Sequence, residues 1–437
     1  MAKKHVFVVG LNDFNLNKLT SLPQAHECEF HAALNISEYL SGKRFDMKEL
    51  IDLAAKRIEN ADVPVDAIVS FYDFPTTLMV PVLAEQFGAR APSLKNVVKC
   101  EHKYWSRVEQ QKIIPGNIPR FAAFDPFDDL ALEKLPLDFP FWIKPFKSFL
   151  SFLAYRVNNE NDYIKVLPEI REKIDYIRKP FNYLLETYGM PAHITNMKES
   201  FIAEEIMSGR MCTAEGHVFD GEVEVYGIVD SIREPDSSSF ARYEYPSSLP
   251  QSVQFRIADI VRRVISGIGL NNSVFNVEFF WDRSTDHISL LEINPRISQS
   301  HTDLFEKVHG VSHHAVMLDI ALGRKPATLE NNGEFKVAAK FMYRVFEDGI
   351  VKKAPDENQI RQIARKLPGT IVIPFYKAGQ RLSESLYQDS YSYLLASIYV
   401  GGRDPSDLSD KYNRCLEILD LEIEHDEHNV TLAENLA

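Results

Sequence analysis

Two apolar runs of strand length, Asn276-Val-Glu278-Phe-Phe-Trp281 and Leu290-Leu-Glu292-Ile-Asn294-Pro-Arg296, each carry a carboxylate, with the polar stretch DRSTDH between them. Side chains alternate between the two faces of a strand. Glu292, Asn294 and Arg296 therefore point one way, while Leu291, Ile293 and Ile297 point into a core. If the two runs pair as a hairpin, Glu278 faces Glu292. One patch then holds two carboxylates, an amide oxygen and a guanidinium. Carboxylates this close repel, and burying either one unpaired is costly. A hard divalent cation removes the conflict, because magnesium takes oxygen ligands from one or two carboxylates plus substrate phosphates and keeps some waters. Arg296 beside it suits a phosphate or carboxylate oxygen, which a guanidinium holds bidentately. The apolar residues on both sides argue against a solvated, salt-bridged face.

The rest of the chain reads as alternating strands and helices. The run from His5 to Gly10 and the run Asp66-AIV-Ser70 are buried strands, with helices expected over 46–60 and from Thr76 to Phe87, where Gly88 stops the second. That order argues for an open α/β layer. A lone Gly10 is not the glycine fingerprint of a dinucleotide site. A polar helix is expected over 99–114, with Lys103 and Arg107 on one face, and strands over 139–144 and 201–207. Residues 162–190 read as helical, Val218 to Val229 as a hairpin turning at Asp220-Gly221, and 252–268 as an amphipathic helix. One helix is expected from Ser298 to Leu322, then a polar linker, then a smaller unit. That unit has strands over 336–345 and 370–374, a helix over 405–418, and an acidic, frayed tail from Glu422. Phe240-ARYEYPSSLP is a candidate wall of a substrate pocket, with Arg233 and Arg242 beside it.

Composition narrows the function classes. A net charge of -13 argues against a nucleic-acid partner, because phosphate-backbone binding needs a basic face. The four cysteines are scattered without a CxxC pair, so neither a zinc knot nor a disulfide framework is expected. His309 and His313 stand four apart without the glutamate of a zinc helix. No stretch approaches the ~20 apolar residues of a membrane span, and MAKKHVFVVGLNDFN is too short in apolar residues for a signal peptide, so a cytoplasmic protein is expected.

NVEFFWD followed by LLEINPR resembles the C-terminal motif of the ATP-grasp superfamily, a glutamate-bearing strand next to a strand written E-[IVM]-N-x-R. The order of further motifs is similar to that of its biotin carboxylase and carbamoyl phosphate synthetase group: HKYWSR with Lys103, PFWIKP with Lys144, FIAEEIMSG with Glu204, Glu205 and Met207, and TAEGHVFDGEVEVYG with Glu215. The resemblance implies that Glu278, Glu292 and Asn294 hold magnesium or manganese between the phosphates of ATP. It gives Arg296 the catalytic contact to the transferred phosphoryl group or acyl intermediate, and Lys103 and Lys144 the phosphates. It gives Glu204 and Met207 the adenine, with Glu205 beside them, and Glu215 the ribose or the substrate. The family's glycine-rich loop is replaced by Lys144-PFKSFLSFLAYRV, in which Lys147, Ser148 and Ser151 are candidate side-chain donors and Phe149, Leu150 and Phe152 an apolar lid. Ser300 and His301 stand where biotin carboxylases carry their bicarbonate base and its neighbour, which disfavours biotin carboxylation.

The fold implied is α/β: an N-terminal parallel-sheet domain over 1–98, a two-part ATP-grasp core over 99–328 with a small lid subdomain at about 120–206, and a C-terminal subdomain over 329–437. The activity implied is that of an L-amino acid ligase. An ATP-dependent carboxylate–amine ligase of that kind forms an amide through an acyl phosphate and releases ADP and phosphate. Amino acids are the expected substrates and a homodimer the expected assembly. A carboxyphosphate-forming, bicarbonate-dependent enzyme and a non-catalytic ATP-binding protein are the alternatives.

Overall fold

The computed structural model describes residues 2–40, 46–149, 151–235, 237, 239–385 and 392–425. Leu150 of the expected lid, residues 386–391 and the tail beyond 425 lie outside the described residues. Near the N-terminus, three parallel strands lie in the order Cys28–Asn35, Lys4–Leu11, Ala67–Val69. The helix Met47–Asn60 packs beside them. Asp46 caps it by accepting from the Glu49 amide at 3.1 Å, and Leu50, Ile51, Ala54 and Ile58 form its buried stripe. The helix Thr76–Phe87 ends at Gly88, whose φ of +69° is the left-handed conformation that favours glycine.

The largest sheet has eight antiparallel strands, in the order His287–Asn294, Ser273–Asp282, Arg210–Phe219, Glu222–Arg233, Phe240–Tyr245, Val337–Val345, Tyr393–Gly402 and Thr370–Pro374. Its last three strands come from the region after residue 329 and continue the hydrogen bonding of the first five. A second antiparallel sheet orders Phe121–Phe124, Phe201–Glu205, Phe141–Pro145 and Tyr155–Val157. Among the described residues, no helix is long and apolar enough to cross a membrane.

Several expectations are corrected. The helix expected over 99–114 is two helices, Leu94–Glu101 and Lys103–Ile113. His102 separates them in an extended conformation, its ring Nδ1 accepting from the Trp105 amide at 3.2 Å, and the Lys103 amide turns to the Phe146 carbonyl at 2.7 Å. The single helix expected from Ser298 to Leu322 is also two, Gln299–His309 and His313–Ala321, broken at Gly310 with φ +74°. Periodicity continued through both breaks, so apolar spacing alone concealed them. Glu422–His425 is not frayed but pairs with Gly349–Lys353, a strand that reading left out along with the helix Glu357–Lys366.

Candidate active site

The hairpin forms in the expected register, with Glu278 opposite Glu292 and Asn276 opposite Asn294. Burial first and Glu292 second push the Glu278 carboxyl up to about 7. Burial also opposes ionisation of Glu292, but the Lys103 ammonium at 2.5 Å overrides it and holds this carboxyl below its usual range. Asn294 donates to the Asn276 side-chain oxygen at 3.0 Å and to Glu278 Oε1 at 3.4 Å, which leaves Asn294 Oδ1 facing Arg296 at 3.4 Å. Two carboxylates and an amide oxygen on one patch fit a hard divalent ion. Arg296 donates to Asp73 Oδ2 at 3.0 Å, while its Nε is buried without a partner among the described residues.

The second sheet faces this patch through Glu204 and Lys144. Glu204 Oε1 meets Arg107 Nε at 2.5 Å and Oε2 meets Lys144 Nζ at 3.0 Å. Burial would raise its carboxyl, but Arg107 and then Lys144 lower it to about 2. Arg107 also donates to the carbonyls of Leu290 and Leu291, at 2.9 and 2.8 Å, in the hairpin that bears the carboxylate patch. The helix Lys103–Ile113 thus ties the two sheets together, with Lys103 on one carboxylate and Arg107 on the other.

The remaining candidates divide. Lys147 is only 3% exposed and lies between Asp73 at 2.7 Å and Glu101. Burial lowers its affinity for a proton, but the two carboxylates reverse that and raise it. Its ammonium is therefore engaged with the N-terminal segment rather than free in a loop. Ser151 is exposed with φ +59°, and Leu153 follows at φ +53°, so this glycine-free turn holds two left-handed residues without the residue type that favours them. Glu205 points away from Glu204, as alternation requires, and pairs with Arg120 at 2.6 Å. Met207 is half-buried in the segment after that strand. Glu215 is fully buried, shares a hydrogen bond of 2.6 Å with His301 Nδ1 and lies 3.7 Å from His313. Burial pushes its carboxyl well above the usual range. Arg242 turns to Glu244 at 2.6 Å, whereas Tyr243 stacks edge-on against His301 at 4.7 Å. Sequence reasoning missed Asp73 and Glu101, which no local pattern marks, and the bridging role of Arg107. The i, i+4 spacing from Lys103 was the available signal for Arg107.

Residues 137–303 match the ATP-grasp domain family, and the chain therefore carries an ATP-grasp domain. A stretch of 161 residues is 28% identical to the carbamoyl phosphate synthase large chain of Rhodopirellula baltica. It covers 35% of this chain and only 14% of that protein, so the chain spans a small part of this relative's length. Among solved structures, an L-amino acid ligase from Bacillus licheniformis superposes with a TM-score of 0.72 at 15% identity, covering 98% of this chain and 100% of that one. A biotin carboxylase from Campylobacter jejuni gives 0.66 at 15% identity over 96% and 92%. An N5-carboxyaminoimidazole synthase from Aspergillus clavatus gives 0.65 at 15% over 95% and 98%. At such identities these likenesses show the ATP-grasp fold, an α/β architecture shared along nearly the whole chain.

Proposed function

We propose that this chain is an ATP-dependent carboxylate–amine ligase that forms an amide bond and releases ADP and phosphate. The observation that carries this reading is the patch of Glu278, Glu292, Asn294 and Arg296, set across from Lys144 and Glu204 on the second sheet. ATP would lie between the two sheets, with Lys103 and Lys144 on its phosphates and Glu204 and Met207 toward the adenine. A divalent ion held by Glu278, Glu292 and Asn294 would neutralise phosphate charge as the γ-phosphoryl group moves to the substrate carboxylate. Arg296 would bind the oxyanion that develops when an amine attacks the acyl phosphate, a contact worth about 2.7–4 kcal/mol per donor. The solved ligase from Bacillus licheniformis supports amino acids as the substrates. Ser300 supports an amine over bicarbonate as the second reactant, because its hydroxyl accepts from Lys340 at 2.9 Å and offers no carboxylate base.

Hydroxylamine intercepts an acyl phosphate as a hydroxamate, so a panel of amino acids with Mg-ATP and hydroxylamine tests the reading. Phosphate release and hydroxamate are both expected from the same acid, and Arg296→Ala is expected to slow them by roughly 100- to 1,000-fold. Phosphate release driven by bicarbonate alone would replace this reading with carboxyphosphate chemistry. ATP binding without release under any acid would replace it with a non-catalytic role.

A further inference from the structure

Lys340 lies in the strand Val337–Val345, paired with Tyr243 on one side and Tyr399 on the other. Residues directly opposite in antiparallel strands share a face. Tyr243, Lys340 and Tyr399 therefore form a row across the large sheet, and the helix Gln299–His309 covers it through Ser300 and His301. Tyr243 stands within electrostatic reach of Glu278 and Arg296, which connects the row to the carboxylate patch.

Lys340 is half-buried and differs from the other lysines around this core. Lys103, Lys144, Lys147 and Lys307 each sit against a carboxylate. Lys340 donates to the Ser300 hydroxyl at 2.9 Å and lies 5.5 Å over the Tyr399 ring, and among the described residues no acidic group opposes it. Two further sources of positive charge lie near it. Arg344 lies four residues further along the same strand and, after burial, is the cause that lowers the Lys340 ammonium to about 8. Ser300 is in the first turn of an eleven-residue helix whose cap residue, Ser298, makes no capping side-chain hydrogen bond. The positive end of that helix adds to the same field. A half-buried ammonium without a counter-charge carries a desolvation cost, and an incoming anion would remove that cost.

We propose that Lys340, Ser300 and the first turn of the helix Gln299–His309 form an anion subsite that binds a substrate carboxylate other than the one being activated. The assignment rests on the ligase reading and adds a selectivity to it. The carboxylate belongs either to the amine, as in an α-amino acid, or to an acid that carries two.

The test starts from whichever acid yields hydroxamate. The amine is offered as an α-amino acid and as its amide, and a dicarboxylic acid is compared with its monoamide. Wild-type protein is expected to favour the carboxylate form at least tenfold in kcat/KM in one of these pairs, and that pair identifies the source. Lys340→Met is expected to abolish the preference through a raised KM, and Lys340→Arg to keep part of it. Because Lys340→Met leaves no carboxylate of the chain unpaired, it is expected to melt no lower than wild type. A wild type without preference in either pair overturns the subsite. So does a Lys340→Met protein that keeps the preference, or one that loses carboxylate and amide forms equally. Absence of hydroxamate from every acid overturns the ligase reading instead, and this assignment falls with it.

Discussion

Replacing Arg107 by methionine is expected to cost about 3–5 kcal/mol of folding stability, the range for removing one partner of a buried ion pair. Arg107 is 2% exposed and makes a contact to Glu204, another to Gln110 and two to the Leu290 and Leu291 carbonyls. Methionine fills much of the volume but leaves Glu204 buried with Lys144 alone and both carbonyls without this donor. Urea unfolding of the two proteins measures the difference. Arg256→Met is the control, since it removes only an exposed pair with Asp286 that solvent already screens. The sign of the pH dependence follows from Glu204, whose folded pKa of about 2 lies below the ordinary 4.5. A depressed carboxyl contributes its stability above the unfolded pKa and loses it as pH falls through the folded one. The gap between wild type and Arg107→Met should therefore be full near neutrality and shrink below pH 4.5. A difference under about 1 kcal/mol at pH 7 would show that the sheets do not depend on this residue.

Glu292→Gln should abolish ATP turnover while the protein stays folded. The change keeps the shape and removes the carboxylate of the patch that Lys103 keeps ionised, so both the divalent ion and the charge partner of Lys103 are affected. A thermal melt separates binding from folding. At a hundredfold excess of Mg-ATP over its dissociation constant, linkage stabilises the wild type by about 2.7 kcal/mol. The variant is expected to show little of this shift and a melt close to wild type without ligand. A wild type that gains nothing from saturating Mg-ATP would remove the nucleotide reading altogether.

The parts of this site that were legible in the sequence are those set by alternation. Glu292, Asn294 and Arg296 stand two residues apart on one strand, and their shared face follows from period two, as does the pairing of Glu278 with Glu292. The strands bearing Lys144 and Glu204 were legible for the same reason, the first an apolar run with one charged residue near its end and the second an apolar run ending in two. Contacts between distant segments were not legible. Lys147 reads as a loop lysine until the fold brings Asp73 and Glu101 around it, at separations of 74 and 46 residues. Glu215 reads as a strand carboxylate near a ligand until His301 and His313 are placed against it. The helix breaks at His102 and Gly310 were hidden because apolar periodicity continued across both.

The cations of this site are already spoken for. Lys103 holds Glu292, Lys144 holds Glu204, and Lys147 and Arg296 share Asp73. Nucleotide entry is therefore a swap of counter-ions rather than the filling of an electropositive hole. A phosphate that draws Lys103 away leaves Glu292 bare beside Glu278, and only a divalent ion arriving in the same step restores the charge balance. Metal and nucleotide should accordingly bind as one unit. A calorimetric titration with ATP in chelator should show affinity at least tenfold weaker than with magnesium, and equal affinity in both would mean that the lysines never leave their carboxylates.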